Sequence, residues 1–298
     1  MSEKEAMENL IKELKKSLGD DTQIMLREIQ KNNGTRYKGL IVRREDRNIA
    51  PTIYMEPFLD MMREGESIRV IAERILQVYR KCELKESVNM DFFMDFWQVK
   101  DRIVYRLINR ERNKELLQDI PHIPFLDLAI CFYYAFYSEE LGDGMIMIHN
   151  SHMEMWNTNH QQLFELAREN TKRLFPPMVI MLDTIVREMD GDMAEARWPD
   201  MPELYVLTNH QKTQGAVALL DAELLENMGK KIKGNYYIIP SSIHEIILLK
   251  DQGREEGLSL HDMIVETNSS QLLEEDILSD YPYYYNTSDK KLSQITGV

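Results

Sequence analysis

Apolar and polar residues in the first 82 positions follow helical spacing, then strand spacing, then helical spacing again. Met7, Leu10 and Leu14 recur three or four residues apart, which predicts a helix that ends at Leu18 before Gly19. Strand-like segments follow at residues 23–30, 37–43 and 49–57, and Asn33-Gly34 between the first two indicates a hairpin. Helical spacing returns at residues 58–63 and 68–82. The sequence therefore predicts an α-β-β-β-α-α unit.

The rest of the chain carries longer apolar runs that are separated by turn residues. Strand spacing is found at residues 102–109, 126–137, 145–150, 204–208, 215–220, 236–240 and 243–250. Residues 120–125 are expected to be extended because they contain two prolines. Helices are predicted at residues 110–116, at 158–174 after the capping box Thr158-x-x-Gln161, at 222–231 after Asp221, and from residue 259. The order strand, turn, strand, cap, helix occurs twice, which predicts successive ββα units.

These elements predict an α+β fold of antiparallel sheets with helices packed on one face. We place a boundary near Glu86, which gives an N-terminal unit of residues 1–86 and a larger α+β unit of residues 87–298. The second unit contains the two hairpin-helix elements. The boundary leaves open that the chain is one domain. No βαβ alternation and no glycine-rich phosphate loop are present in the sequence, so no nucleotide cofactor is expected.

The composition disfavours several classes of binding partner, but it says less about which reaction, if any, the protein catalyses. The 298 residues carry a formal net charge of −14, which opposes nonspecific binding to nucleic acid and to anionic lipid. No apolar run is long enough to span a membrane and no secretory signal is visible, so a cytoplasmic location is expected. The two cysteines indicate neither a disulfide framework nor a four-ligand zinc site. Nucleic acid is an unfavoured partner, and no cofactor is expected.

The stretch IIPSSIHEIILL, residues 238–249, places two serines, a histidine and a glutamate within five positions. In a strand, Ser242 and His244 share a face while Glu245 points the other way, so a triad cannot form locally. Ser242 and His244 are candidate catalytic residues only if an acidic partner comes from elsewhere. The alternative is a bend at residues 240–242 that opens a buried strand, and we favour it.

A second polar cluster, HNSHME at residues 149–154, could ligate a metal. His149, His152 and Glu154 carry the ligand types that a divalent ion prefers, and a metal-assisted hydrolase is the chemical alternative that they suggest. Their spacing matches no established zinc pattern. We favour a structural connection between a hairpin and a helix, and we expect no bound metal.

Two surface features suggest binding rather than chemistry. The first is a basic hairpin with Arg36, Lys38, Arg43 and Arg44 around Tyr37, to which Arg27 and Lys31 add. It could contact nucleic-acid phosphates. Acidic residues interleave there, so a solvated sheet face is the favoured interpretation.

The second surface feature is the segment DYPYYY, residues 280–285, in which Tyr283 and Tyr284 are candidate binding residues. Tyrosine is enriched at protein interfaces. A tail that packs back on its own unit is the equal alternative.

Several stretches resemble an uncharacterised family, the domain-of-unknown-function family numbered 5688, which is known from Firmicutes. They include KNNGTRYKGLIVR, VYRLINRERNKELLQDIPHIPFLDLAICFYY, LYVLTNHQKTQGAVALLD and YYIIPSSIHEIILL, and together they span almost the whole chain. The second half is also similar in layout to the YtpQ-like family. The resemblance implies a cytoplasmic bacterial protein and supplies no activity, cofactor or catalytic residue.

The sequence thus lacks a catalytic signature and a cofactor fingerprint. Our leading hypothesis is a non-enzymatic binding or regulatory protein that acts through protein–protein contacts. The metal-assisted hydrolase and the nucleic-acid binder at residues 36–47 remain the alternatives.

Overall fold

The structure is a computed structural model that describes residues 3–19, 21–48, 50–82, 90–138, 142–182, 203–253 and 257–296. Helices and strands are both abundant, and every strand pairing given for the described residues is antiparallel. The predicted α+β class with antiparallel sheets is confirmed. Contacts divide the chain into two compact units, and the loop Asn32–Gly34 belongs to the second of them.

The first unit contains Met1–Lys31, Thr35–Phe92 and Tyr137–Gly142. Its elements follow the predicted order: α1 Glu3–Leu18, β1 Thr22–Gln30, β2 Arg36–Arg44, β3 Thr52–Tyr54, α2 Glu56–Arg63 and α3 Ile68–Cys82. The sequence also suggests a capping box Ser2-x-x-Glu5 at the start of α1, but Ser2 lies outside the described residues. The connection at Asn33-Gly34 is longer than a two-residue turn, because Gln30 pairs with Arg36, and Asn33 adopts φ 57°.

The core of this unit lies between one face of the sheet and the helices. Leu40 and Val42 of β2 alternate inward, and they pack with Leu10 of α1 and Ile71 of α3. Leu10, Leu40 and Ile71 are completely buried. Alternation along the strand and helical spacing along α1 and α3 therefore produce one apolar layer.

The second unit contains Asn32–Gly34, Phe93–Phe136 and Asp143–Val298. Its helices are α4 Phe96–Val99, α5 Asn150–Trp156, α6 His160–Leu174, α7 Ala222–Ile232 and α8 Gly257–Ser270. Its strands are β4 Ile103–Asn109, β5 His122–Phe125, β6 Leu128–Ser138, β7 Gly142–Met147, β8 Pro177–Met181, β9 Leu204–Asn209, β10 Tyr236–Ser242, β11 Glu245–Lys250, β12 Tyr283–Asn286 and β13 Lys291–Gln294. One sheet has the order β4-β6-β5 with β7 also on β6, and the other has the order β13-β12-β10-β11-β9-β8.

The predicted strand at residues 215–220 is wrong, and with it the second ββα repeat. Gly215–Leu220 forms a 3₁₀ helix, while β9 pairs with β8 on one side and β11 on the other. A Cβ on Gly215 would lie 2.5 Å from the carbonyl oxygen of His244 and 2.5 Å from Thr208 Oγ1. The backbone at Gly215 is therefore too close to these residues for any larger side chain. Residues 215–219 are all buried, instead of alternating between buried and exposed as in a strand with one solvent-exposed face.

Side chains that bond to the backbone explain two further corrections. The predicted helix at 110–116 is a series of turns that ends in a 3₁₀ helix, Leu116–Gln118, because Asn109 Oδ1 accepts from the Arg112 N–H. The helix α6 is capped by Asn159 and not by Thr158, since Asn159 Oδ1 accepts from the Gln162 N–H at 3.0 Å. The strand β8 after Pro176 was missed. The sequence also suggests a loop or linker at residues 189–202, which lies outside the described residues.

A network of buried amides and hydroxyls connects distant segments of the second unit. Asn113 is 1% exposed, accepts from the Asn33 N–H, and donates to Asn32 Oδ1, Asn33 Oδ1 and the Asn109 carbonyl. The side chain of Asn33 in turn donates to the carbonyl oxygens of Glu274 and Ile277. These bonds use both the donors and the acceptor of the buried Asn113 amide, which is the condition for burying it without a large penalty.

Candidate functional site

Ser242 and His244 do not lie on one strand as predicted. Ser242 pairs with Glu245, so residues 243 and 244 form the turn between β10 and β11. Ser242 is buried, and its Oγ accepts from the His244 backbone N–H at 3.0 Å. The Ser242 hydroxyl therefore stabilises the turn. Residues 240–242, which were expected to form a bend before a strand, are the end of β10 in a β10–β11 hairpin.

The imidazole of His244 has a partner at each nitrogen. Nδ1 accepts from the Gln214 backbone N–H at 3.2 Å, so the ring proton is on Nε2, which lies 3.2 Å from Asp276 Oδ1. An acidic partner is therefore present, as a triad would require. Both ring nitrogens are nevertheless occupied by groups other than Ser242, and this arrangement joins three loops rather than activating a hydroxyl.

Two of the three predicted metal ligands are neighbours, since the rings of His149 and His152 have centroids 5.5 Å apart, but His149, His152 and Glu154 do not form a three-ligand group. His149 precedes α5, and its backbone N–H donates to His152 Nδ1 at 3.0 Å, so one nitrogen of His152 caps the helix. The His152 ring packs edge-on against Phe93, and burial, with a smaller effect of His149, lowers the pKa of His152. Across the described ranges, no group of three His, Cys, Asp or Glu side chains could hold a metal ion.

The predicted basic hairpin divides between two faces of the sheet. Arg36 and Lys38 lie on the face that carries Leu40, where they pair with Glu28 and Glu3 respectively. The Lys38 ammonium lowers the pKa of Glu3 through a hydrogen bond and direct attraction. Arg43 points to the opposite face, because strand residues alternate, and Arg44 to the first. The four predicted residues therefore do not form one continuous surface.

The tyrosine-rich segment forms the strand β12 rather than an exposed cluster. Tyr283 is completely buried, and its hydroxyl donates to Asp127 Oδ1 at 2.8 Å. Tyr284 is half-buried and donates to Asp251 Oδ2 at 2.7 Å. Of the two equal alternatives, the one in which this segment packs on its own unit describes the observed strand.

Sequence reasoning missed a groove in the first unit, which we call the β1 groove. It has a volume of about 630 Å³ and is lined by α1, β1 and Lys38 of β2. Its apolar wall consists of Met7, Ile11 and Leu26, and Leu26 is 38% exposed. The charged residues around it balance in sign: Glu3, Lys4, Glu8, Arg27, Glu28 and Lys38.

The β1 groove runs beside the edge of the three-stranded sheet. The sheet order is β1-β2-β3, so nine-residue β1 has a partner on one side only within the described residues. The edge of a strand presents alternating N–H and C=O groups that can pair with another extended chain. An apolar groove and a row of directional hydrogen-bonding groups are thus adjacent. The apolar pair Met7 and Ile11 on α1 was visible in the sequence, but the edge position of β1 was not.

A second exposed apolar feature lies in the second unit. Trp97 of α4 is 73% exposed and lines an open groove of about 450 Å³ with Leu166 and Gln162. Asp95 caps the short helix, since its Oδ1 accepts from the Trp97 backbone N–H at 3.0 Å. Lys100 Nζ lies 5.1 Å from the ring centroid. This groove lacks the unpaired backbone edge that accompanies the β1 groove.

The fold defines an α+β protein of antiparallel sheets, and its surface carries the two grooves described above. Among the described residues, no helix combines the length and apolar character needed to cross a membrane. The chain belongs to the family of unknown function DUF5688, whose family model matches residues 4–287. Comparison with curated proteins found no match, and neither did comparison with solved structures.

Proposed function

We propose that this protein binds an extended segment of another protein along β1, so that the segment adds one strand to the three-stranded sheet. The observation that carries the proposal is the open edge of β1 beside the apolar wall of the β1 groove. Backbone hydrogen bonds at such an edge supply affinity, and pockets for alternate side chains supply specificity.

The chemistry of the groove favours a segment with alternating apolar residues. Side chains of an added strand point alternately to the two faces of the sheet, so every second one enters the groove beside Met7, Ile11 and Leu26. The mixed charges of the rim favour no strongly acidic or basic segment. The proposal requires no cofactor and no reaction at the site.

Selection from a display library of random peptides tests the proposal, with affinities then measured by fluorescence anisotropy. Enriched peptides are expected to alternate apolar and polar residues. Leu26→Glu places a carboxylate against the bound strand and is expected to weaken binding at least tenfold. Val78→Glu is the matched control, because Val78 of α3 has the same 38% exposure in the same unit and lies outside the groove.

N-methylated peptides test the strand geometry directly. Only every second N–H of an added strand faces β1, so methylation of one alternate set should abolish binding and methylation of the other set should not. Equal loss with both sets, or no effect of Leu26→Glu, would overturn the proposal. Concentration-dependent dimers that Leu26→Glu dissolves would assign the edge to a second copy of this chain and would equally overturn it.

A further inference from the structure

The outer face of the three-stranded sheet, opposite the helices, carries a different surface. The register between β1 and β2 places Arg27 opposite Gly39 and Ile29 opposite Tyr37, and Gly39 in turn lies opposite Tyr54 of β3. These residues alternate with the inward residues Leu40 and Ile53, so they share the outer face. This set, with Met25, Ile41, Arg43 and Thr52, is called the outer sheet face below.

Within the three strands, charge on the outer sheet face has one sign, and the acidic Glu45 and Asp46 lie beyond the end of β2, where Asp46 pairs with Arg47. In these strands the ionisable side chains of this face besides tyrosine are Arg27 and Arg43, and Lys31 follows directly after β1. The single acidic residue in these strands, Glu28, is on the inner face, where it pairs with Arg36. A chain of net charge −14 thus presents a locally basic surface. Because charges are screened beyond about 8 Å at physiological ionic strength, the local sign decides what binds at contact distance.

The middle of this face is flat and aromatic. A Cβ on Gly39 would lie 2.6 Å from Ile29 Cγ1 and 2.7 Å from Thr52 Cγ2, so these two side chains close over the glycine. Beside them, the rings of Tyr37 and Tyr54 meet edge to face with centroids 5.6 Å apart. Tyr54 is 38% exposed, and Lys31 Nζ lies 4.7 Å from its ring centroid.

We infer that the outer sheet face binds single-stranded nucleic acid. Unpaired bases stack on aromatic side chains, whereas the basic side chains contact phosphates, and a flat sheet accommodates both. Arg43 lies four residues beyond Gly39 along β2, about 14 Å away along the strand, so the cations can follow a strand of nucleotides across the face. Lys31, which covers Tyr54 in the free protein, moves to a phosphate and uncovers the ring for a base.

This assignment changes the predicted residue set of the basic hairpin. Arg36 and Lys38 are engaged with glutamates on the inner face, so they are not part of the surface. Of the predicted cations, Arg27, Lys31 and Arg43 remain, and Tyr54 is added. A nucleic-acid duplex is not the expected ligand, because its bases are stacked inside and cannot reach the tyrosine rings.

Anisotropy of fluorescein-labelled 15-nucleotide oligouridylate and oligothymidylate tests the inference between 20 and 200 mM salt. Contact with about three phosphates predicts a log–log slope near −2 for affinity against salt. Tyr54→Ala is expected to weaken binding about tenfold, and Tyr54→Phe to preserve it, because stacking needs the ring alone. Arg43→Ala is expected to weaken binding and to reduce the slope by about 0.7.

Arg36→Ala is the matched control, since it removes a cation of the same hairpin from the inner face and should leave affinity unchanged. Arg27 borders both surfaces, so Leu26→Glu, which blocks the apolar wall of the β1 groove, should weaken oligonucleotide binding much less than Tyr54→Ala does and so separates this surface from the proposed peptide site. No saturable binding at 20 mM salt would overturn the inference. So would equal losses in Arg36→Ala and Arg43→Ala, or displacement of the oligonucleotide by polyglutamate at the same concentration as by unlabelled oligonucleotide.

Discussion

The two units of the chain are stabilised in different ways. Of the eleven buried polar residues in the described part of the chain, ten lie in the second unit and only Thr22 lies in the first. The first unit buries aliphatic side chains between helices and sheet, and its ion pairs are at the surface. The second unit also has apolar clusters, but buried asparagine and serine side chains, together with the partly buried Asp127, connect its loops.

The difference bears on how each unit specifies its structure. Apolar packing accepts many residues of similar volume, whereas a buried hydrogen-bond network accepts only groups whose donors and acceptors match. The first unit is therefore expected to tolerate apolar exchange in its core. The second unit should be sensitive to the loss of single polar atoms.

The largest expected effect is at the centre of the polar network. Asn113→Ala removes four hydrogen bonds and leaves several buried groups without partners, so we expect a loss of about 4 kcal/mol in the free energy of unfolding. Urea denaturation followed by tryptophan fluorescence measures it. Gln271→Ala, which removes an exposed amide of the same unit, should cost less than about 0.5 kcal/mol. A cost of Asn113→Ala below about 1 kcal/mol would remove the distinction between the units.

A cavity in the core of the first unit should lower the free energy of unfolding somewhat less than Asn113→Ala does. Leu40→Ala deletes a fully buried side chain and is expected to cost about 3 kcal/mol, from lost burial and the remaining cavity. Hydrogen exchange of the β2 amides reports on this unit locally. The cost should be recovered largely by Leu40→Met, which conserves volume. If Leu40→Met were as damaging as Leu40→Ala, the tolerance expected of this core would be wrong.

The third prediction concerns pH and Asp127 in the second unit. Burial raises the pKa of Asp127, although bonds from Ser279 and Tyr283 partly oppose the shift. The native state therefore holds this proton more tightly than the unfolded state does. This carboxyl thus makes stability fall as pH rises from about 3.9, the unfolded value, through the higher native pKa.

Tyr283→Phe removes one hydroxyl from Asp127 and raises that native pKa further. We expect a cost of about 2 kcal/mol at pH 7 and a smaller cost at pH 4, because the tyrosine hydroxyl stabilises the charged carboxylate more than the protonated carboxyl. Urea denaturation at both pH values measures the difference. Tyr285→Phe in the same strand should show no comparable pH dependence. Equal costs of Tyr283→Phe at the two pH values would contradict the assignment.

The smallest expected effect is at a helix cap. Asp221 Oδ1 accepts from the Leu224 N–H at 3.1 Å, and Oδ2 lies 3.0 Å from Lys172 Nζ. Asp221→Ala should cost about 1 kcal/mol, and Asp221→Asn, which keeps the cap and loses the ion pair, less than about 0.5 kcal/mol. If Asp221→Asn cost as much stability as Asp221→Ala, the ion pair with Lys172 would contribute more to stability than the helix cap does.

The first unit was predictable from the sequence because its signals are local. The helix spacing of α1 and α3 and the alternation of β2 each depend on neighbouring positions, and the predicted element order is confirmed. In the second unit, the cap at Asp221 was equally local and is confirmed. The 3₁₀ helix after Gln214 was not predictable, because a buried apolar run looks the same whether it lies in a strand or beneath a hairpin.

The candidate site was less predictable than the fold. Polar residues close in sequence, such as Ser242 and His244, attracted a catalytic interpretation, yet their partners Gln214 and Asp276 come from other loops. The β1 groove depends on which strand is at the edge, and the outer sheet face depends on the register of β1 against β2. Neither the edge position of β1 nor its register against β2 can be read from a local sequence pattern. The spacing of Arg27 and Ile29 is compatible with the observed edge position and register.

The hydrogen bonds of Asn33 cannot all form until late in translation of the chain. Its side chain donates to the carbonyl of Ile277, which lies 244 residues later in the chain. At a translation rate of about 5–20 residues per second, that acceptor leaves the ribosome roughly 12–50 seconds after Asn33 does. The neighbouring strands β1 and β2 can pair early. Until Ile277 has been synthesised, however, the side-chain amide of Asn33 in the loop between them remains hydrogen-bonded to water. Slower translation over the intervening stretch would lengthen this interval, during which chaperones have access to the unfinished network.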